Sequence, residues 1–251
     1  DLIYTHNQDQ IIVITDQGEL VVQRLKDLGS FQYNSTPLNF HKHFNLKGKV
    51  IFAKTLHADF DDLLLLTSDN NIKKVDKNLV LSFKKFPTSI INLPGKNEKI
   101  LNVLAVSDGD HVWVATRSGR FLMFPSKELR PMGKTAGGVK AIDLQDGDHV
   151  STMFLRQEEP FIILNTTTKA LMLAIDDLRV RKRAKKWDQV VELDKGDNIV
   201  GGISMYEGAI RLRLSDNSIQ TVHSNDCYLD IPWSGPEKIT SKAILGMFRP
   251  W

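Results

Sequence analysis

The sequence predicts an all-β protein: a ring of five propeller-like blades with about four short strands per blade. Three observations carry this. An apolar run followed by a polar turn recurs five times, and the turn residues Gly18, Asn70, Gly119, Thr168 and Asn217 stand 52, 49, 49 and 49 residues apart. A fixed period of this length means one supersecondary unit repeated. The runs are four or five residues long, which suits strands and is too short for helices. No stretch keeps amphipathic helical spacing over a dozen residues. A β-sandwich, the other all-β solution, predicts no constant period.

Each repeat reads in the same order. It opens with an apolar run such as Ile11–Ile14, Leu63–Leu66, Val112–Ala115, Phe161–Leu164 or Ile210–Leu214. A turn follows with Gly or Asn where positive φ is needed, the mark of a hairpin; Thr168 departs from this in the fourth repeat. A second run comes next, such as Leu20–Val22, Ile72–Val75 or Phe121–Phe124, whose partial alternation predicts one wetter face. A third run lies ten to fifteen residues on (Ile90–Ile91, Val139–Leu144, Val190–Leu193), and a fourth closes the unit (Val50–Ala53, Ile100–Leu104, Val150–Phe154, Ile199–Ile203). Four strands per repeat and five repeats make a propeller. The expected blades are approximately 8–57, 58–107, 108–157, 158–206 and 207–251, within one domain spanning 1–251.

Composition is ordinary for a globular chain of 251 residues, at 41% hydrophobic and 25% charged. No apolar stretch is long enough to span a membrane, and none has signal-peptide form. A chain that opens at Asp1, directly on a repeat, reads as a domain cut from a longer protein. Cys227 is the single cysteine, so no disulfide framework is possible and a reducing, cytoplasmic setting is expected.

Net charge is +3 and uneven. Residues 1–110 balance, residues 111–190 carry 14 Lys and Arg against 9 Asp and Glu, and residues 191–251 are slightly acidic. The densest run holds Arg179, Arg181, Lys182, Arg183, Lys185 and Lys186, six basic residues in eight. Basic residues recur at the corresponding place in other repeats, as Lys84 and Lys85 in the second and Arg130 and Lys134 in the third. Recurrence on one edge of a ring would make a curved basic track suited to a phosphate backbone. An isolated charge run is equally well a solvated loop.

The third repeat carries the most specific signature: Gly119-Arg120-Phe121-Leu122-Met123-Phe124, then Arg130-Pro131-Met132-Gly133-Lys134-Thr135-Ala136-Gly137-Gly138-Val139-Lys140, then Gly147-Asp148-His149-Val150. Gly196-Asp197-Asn198-Ile199 repeats the last element. This resembles the C-terminal domain of the A subunit of bacterial type IIA topoisomerases, DNA gyrase and topoisomerase IV. The resemblance implies a β-pinwheel, a propeller variant whose blades exchange strands, that binds and bends duplex DNA around its rim. It implies no catalysis by the domain alone, no cofactor or metal, and a place in an ATP-dependent topoisomerase. The implied partners are double-stranded DNA, the ATPase B subunit of the enzyme and the rest of its A subunit. The isolated domain would be monomeric, and the enzyme would lie in the cytoplasm on the nucleoid. Arg130, Lys134 and Lys140 match basic positions of the family loop, and Arg179, Arg181, Lys182, Arg183, Lys185 and Lys186 fall in that loop one repeat later. The first repeat departs from the gyrase pattern: where gyrases carry a box close to QRRGGKG, residues 29–37 read Gly-Ser-Phe-Gln-Tyr-Asn-Ser-Thr-Pro, with no basic side chain. That box is associated with wrapping DNA in a positive sense, so negative supercoiling is in doubt. Five repeats lean toward topoisomerase IV, the Met132–Val139 loop toward gyrase.

Other chemistries find little support. The four tyrosines read as packing residues, and His41, His43 and His57 lack a convergent ligand set. Gly137-Gly138 reads as a turn that lets backbone approach a phosphate. No nucleophile triad, phosphate-binding loop or dinucleotide fingerprint occurs. The alternative is a protein-interaction propeller, although Trp187-Asp188 is the only Trp-Asp pair and no Gly-His accompanies it. A propeller hydrolase would need a recurring acidic or His position, which is missing.

Overall fold

In the computed structural model the described residues are 6, 8–29, 38–56, 60–83, 86–156, 161–167, 170–174, 180–185, 187–205, 209–216, 218–223 and 244–248. Five antiparallel sheets account for nearly all of the regular structure among them. The first holds β1 (Gln10–Thr15), β2 (Glu19–Arg24) and β3 (Val50–Thr55); the second holds β4 (Asp62–Thr67), β5 (Asn71–Asp76) and β7 (Ile100–Val106). The third holds β8 (His111–Thr116), β9 (Arg120–Pro125) and β11 (Val150–Arg156). The fourth is built of β12 (Phe161–Thr166), β13 (Ala170–Ala174) and β15 (Ile199–Met205), and the fifth of β16 (Ala209–Leu214), β17 (Ile219–His223) and β18 (Ile244–Phe248).

The remaining strands, β6 (Thr88–Ser89), β10 (Val139–Lys140) and β14 (Asp188–Gln189), do not join the sheet of their own repeat. The first sheet has the order β3-β1-β2-β6, the second β10-β5-β4-β7 and the third β11-β8-β9-β14. Each two-residue strand therefore pairs with the second strand of the preceding repeat. This is strand exchange between blades, a feature that periodicity alone leaves open.

Local chemistry fixes the hairpins. Gly18, Asn70 and Gly119 take φ of 76°, 62° and 85°, as three-residue hairpin loops require. The first strand of each of the first three repeats ends in a buried Thr whose hydroxyl accepts the N–H four residues on: Thr15 from Glu19, Thr67 from Asn71, Thr116 from Arg120. A register shift falls in each sheet beside this end, at Ile14/Thr15, Leu66/Thr67, Val150/Thr152, Asn165/Thr166 and Arg213/Leu214. Such bulges add twist to a strand. At Gly119 a second requirement is added. A Cβ there would sit 2.4 Å from the Val191 carbonyl oxygen, because the exchanged segment lies on the turn and its Val190 N–H donates to the Gly119 carbonyl at 3.1 Å.

The chain divides into two compact units, Asp1–Ser107 with Leu129–Val139, and Asp108–Glu128 with Lys140–Trp251. The core of the first unit joins Ile12, Ile14 and Leu20 to Leu63, Leu65, Val75, Ile90 and Ile100. The second unit has a core of Trp113, Phe121, Met123, Phe154, Leu164, Val191 and Ile199. The wetter face expected of the second strands is absent from β5, where Ile72 through Val75 are all buried. Strands covered on both faces read as continuous apolar runs, and here Lys73 and Lys74 are the exceptions. Lys74 meets Asp62 across the sheet at 2.7 Å with both side chains almost fully buried.

Candidate nucleic-acid interface

The basic loops grow from the exchange. In the first unit, the segment from Leu129 to Val139 runs along β5: Pro131 bridges to Lys74 in parallel, and Met132 N–H donates to the Lys74 carbonyl at 2.9 Å. The second unit repeats the arrangement. Val180 bridges to Met123 in parallel and Arg181 N–H donates to the Met123 carbonyl at 2.8 Å. The two loops are therefore equivalent parts of successive repeats, each laid on the second strand of the repeat before.

The third-repeat loop is held from beneath. Lys73 has no solvent exposure, and its Nζ donates to the carbonyls of Ile90 (2.6 Å), Gly133 (2.7 Å), Ala136 (2.9 Å) and Lys134 (3.1 Å). Burial pushes this ammonium down to about 8 from an ordinary 10.5. Arg130 and Lys134 of this loop are exposed, as is Lys140 where it ends. The Lys134 ammonium lies 5.5 Å from the Phe83 ring centroid, and Lys140 reaches Asp143 at 2.5 Å with both side chains more than half exposed. Gly138 takes φ of 102°, and a Cβ there would sit 2.8 Å from the Ile72 carbonyl oxygen. The close approach that requires this glycine is to neighbouring protein backbone.

The fourth-repeat loop is held by polar contacts of Arg181 and Arg183. Arg181 engages Asp188 with two nitrogens, Nε at 2.9 Å and the second from its terminal amine, and the Asp188 carboxylate raises the guanidinium above its usual value. Arg183 N–H donates to Glu128 at 2.8 Å and its guanidinium to the Lys140 carbonyl. Lys182 and Lys185 are exposed. Lys84, Lys85, Arg179 and Lys186 lie outside the described residues, as do Thr168, Asn217 and the first-repeat segment 30–37.

Sequence reading passed over Lys73 altogether. A lysine on a strand looks like an outward-facing residue, and only the apolar Val21 and Leu122 at the same step of neighbouring repeats mark it as unusual. Among the described residues no group of three or more His, Cys, Asp and Glu converges as a metal site, and no helix is long and apolar enough to cross a membrane. His41 instead bonds the Gly48 carbonyl at 2.8 Å.

Antiparallel sheets repeated along the chain, with a strand passed to the preceding repeat, define a β-propeller of the pinwheel kind. The model of the family described as "DNA gyrase C-terminal domain, beta-propeller" matches residues 61–107 and 110–155. Those residues carry that family's repeat, and the chain resembles the C-terminal domain of the A subunits of DNA gyrase and topoisomerase IV. The A subunit of DNA gyrase from Metamycoplasma arthritidis is 22% identical over 243 residues, covering 90% of this chain and 27% of that protein. The A subunit of DNA topoisomerase 4 from Streptococcus pyogenes serotype M1 is 20% identical over 185 residues, covering 71% of this chain and 22% of the relative. This chain thus spans about a quarter of the length of these relatives. Among solved structures, the C-terminal domain of DNA topoisomerase IV superposes with a TM-score of 0.87 at 17% identity, covering 99% of this chain and 81% of that one. The DNA gyrase A C-terminal domain gives 0.75 at 16% identity, covering 97% and 83%. These two likenesses bear on the fold.

Proposed function

We propose that this chain is the DNA-binding and DNA-bending domain of a type IIA topoisomerase A subunit. It binds duplex DNA without sequence preference, through basic loops on its outer rim. The observation that carries the reading is the pair of equivalent loops described above, which leave Arg130, Lys134 and Lys140 exposed in one repeat and Lys182 and Lys185 in the next. Lys84, Lys85, Arg179 and Lys186 complete the proposed contact set from sequence, with Arg181 and Arg183 shaping the loop as well as adding charge. The domain supplies no catalytic residue. Strand cleavage belongs to the rest of the A subunit; ATP turnover belongs to the B subunit. The assembled enzyme works on the nucleoid.

The first repeat offers Gln32, Tyr33 and Asn34 where a supercoiling gyrase offers arginines and lysine. The third and fourth repeats therefore do most of the bending, and the wrap is partial. Binding to a short duplex at increasing salt tests the reading. Six phosphate contacts give a slope of log affinity against log salt of roughly −5. Affinity that ignores salt would reject the basic rim and favour a protein-binding scaffold.

A further inference from the structure

We propose that Lys73 is a positioning residue that builds a backbone phosphate cradle in the turn from Gly133 to Gly137; this rests on the DNA-binding reading above. Lys73 is fully buried on β5, and backbone carbonyls surround its ammonium. A buried charge costs several kcal/mol unless it is satisfied. The strand itself does not call for it, since Val21 and Leu122 occupy the same step after Gly18 and Gly119. The burial therefore supports something beyond the sheet, and the hydrogen bonds say what it is. Three of the four carbonyls, those of Gly133, Lys134 and Ala136, belong to one turn closed by Ala136 N–H on the Gly133 carbonyl at 3.1 Å.

A trans peptide unit is planar, and its N–H points opposite to its C=O. Drawing three carbonyls inward onto one cation turns the N–H groups of the same peptide units outward. These are the amides of Lys134, Thr135 and Gly137. Gly133, Lys134 and Thr135 are exposed and Gly137 is half-buried, so the Lys134 and Thr135 amides meet solvent on a turn that also carries the exposed Lys134 side chain. Successive outward N–H groups next to a cation form a concavity that suits an anionic oxygen. The ligand class is a phosphodiester of the DNA backbone. Lys73 stays beneath the turn, never touches the nucleic acid, and its ammonium polarises each peptide unit toward donating outward.

The test compares the intact chain with Lys73→Met and Lys73→Gln by fluorescence anisotropy on a short duplex across a salt series. Circular dichroism melting and amide exchange over residues 133–137 accompany it. Lys73→Met keeps the length of the stem and removes the charge. It should melt as a folded protein and bind about tenfold more weakly, the effect of one charge-assisted hydrogen bond lost, with the salt slope little changed because Lys73 itself neutralises no phosphate. Amides 133–137 should exchange faster, and Lys73→Gln should fall between the two. Lys134→Ala combined with Lys73→Met should cost less than the sum of the single losses, because both act on one cradle. A folded Lys73→Met or Lys73→Gln with wild-type affinity overturns the proposal while leaving the DNA-binding reading intact. A wild-type chain that fails to bind duplex at low salt overturns that reading and the cradle with it. Altered exchange with unchanged binding would reduce Lys73 to a structural staple and also overturns the proposal.

Discussion

Asp148 accepts from both the backbone N–H and the hydroxyl of Ser118, at 3.3 and 2.6 Å, across a separation of thirty residues. Arg120 adds a charged bond to the same carboxylate at 2.8 Å and stacks 4.4 Å over the Trp187 ring. Asp197 does the same one repeat later, accepting from the Thr166 hydroxyl at 2.6 Å and from Thr167 N–H at 2.9 Å. The Asp of the Gly-Asp-x-Val element is thus a clamp on the hairpin turn of its own repeat. In the first repeat Gly48 stands at that place and the acid comes from the other side: Glu19 accepts the N–H groups of Lys47 and Gly48, and Asp16 accepts that of Lys49. The clamp is kept while its donor and acceptor strands trade roles.

Asp148→Ala should destabilise the protein by about 2 kcal/mol, because it leaves several part-buried donors without an acceptor. Burial pushes the Asp148 carboxyl up, but bonds from Ser118, Thr116, the His149 N–H and Arg120 outweigh it and hold the carboxyl below its ordinary 3.8. A depressed folded value means stability that is present above pH 3.8 and lost as pH falls below it toward the folded value. Urea melts of wild type and variant should therefore converge as pH drops through that range. An unchanged gap at low pH would contradict the assignment.

Lys73 has the opposite sign. Its folded value of about 8 lies below the 10.5 of the unfolded chain, so between these values the unfolded state holds more protons. The burden of a buried ammonium is full below pH 8 and is relieved as pH rises toward 10.5. Measured against Lys73→Met, wild-type stability should improve with pH across that window. A flat difference from pH 7 to 10 would mean that the four carbonyls hold the proton more firmly than burial removes it.

The fourth-repeat loop predicts a split between its cations. Lys182→Ala with Lys185→Ala removes two exposed charges, and stability should move by no more than about 0.5 kcal/mol while DNA affinity falls. Arg181→Ala with Arg183→Ala breaks the Asp188 and Lys140 contacts as well, so melting temperature and affinity should fall together. Equal effects of the two pairs on melting would show that the arginine contacts add nothing to the fold.

The period, the hairpins and the all-β class were legible because they rest on local rules: short apolar runs and a left-handed residue at Gly18, Asn70 and Gly119. Strand exchange followed only from the family resemblance and not from local rules, because β6, β10 and β14 are two residues long and carry the same pattern whichever second strand they meet. The charge of the basic loops could be read directly. Their anchoring could not, since Glu128 lies 55 residues before Arg183, and Lys73 sits 60 and more residues before three of the four carbonyls it binds. Arg181 and Asp188 are only seven apart. Even so, only the turn between them shows that the pair closes, and that one of six clustered cations is already engaged.

Two glycines separate conformational strain from the demands of exchange. Gly119 and Gly147 have similar φ, 85° and 79°, so an alanine at either meets the same left-handed penalty, on the order of 1 kcal/mol. At Gly147 a Cβ would meet nothing within 4 Å. At Gly119 it would lie 2.4 Å from the Val191 carbonyl oxygen and 3.3 Å from the Val191 Cβ, where the segment after β14 crosses the turn. That backbone cannot yield without loosening the Val190 and Val191 N–H bonds to the Gly119 carbonyl, at 3.1 and 3.3 Å, and with them the pairing of β14 on β9. Gly119→Ala should therefore cost several times as much stability as Gly147→Ala, roughly 3 kcal/mol or more. Its amide exchange should rise first at residues 188–191. Equal losses from the two substitutions, with residues 188–191 still protected, would show that the exchanged strand tolerates a side chain at the turn.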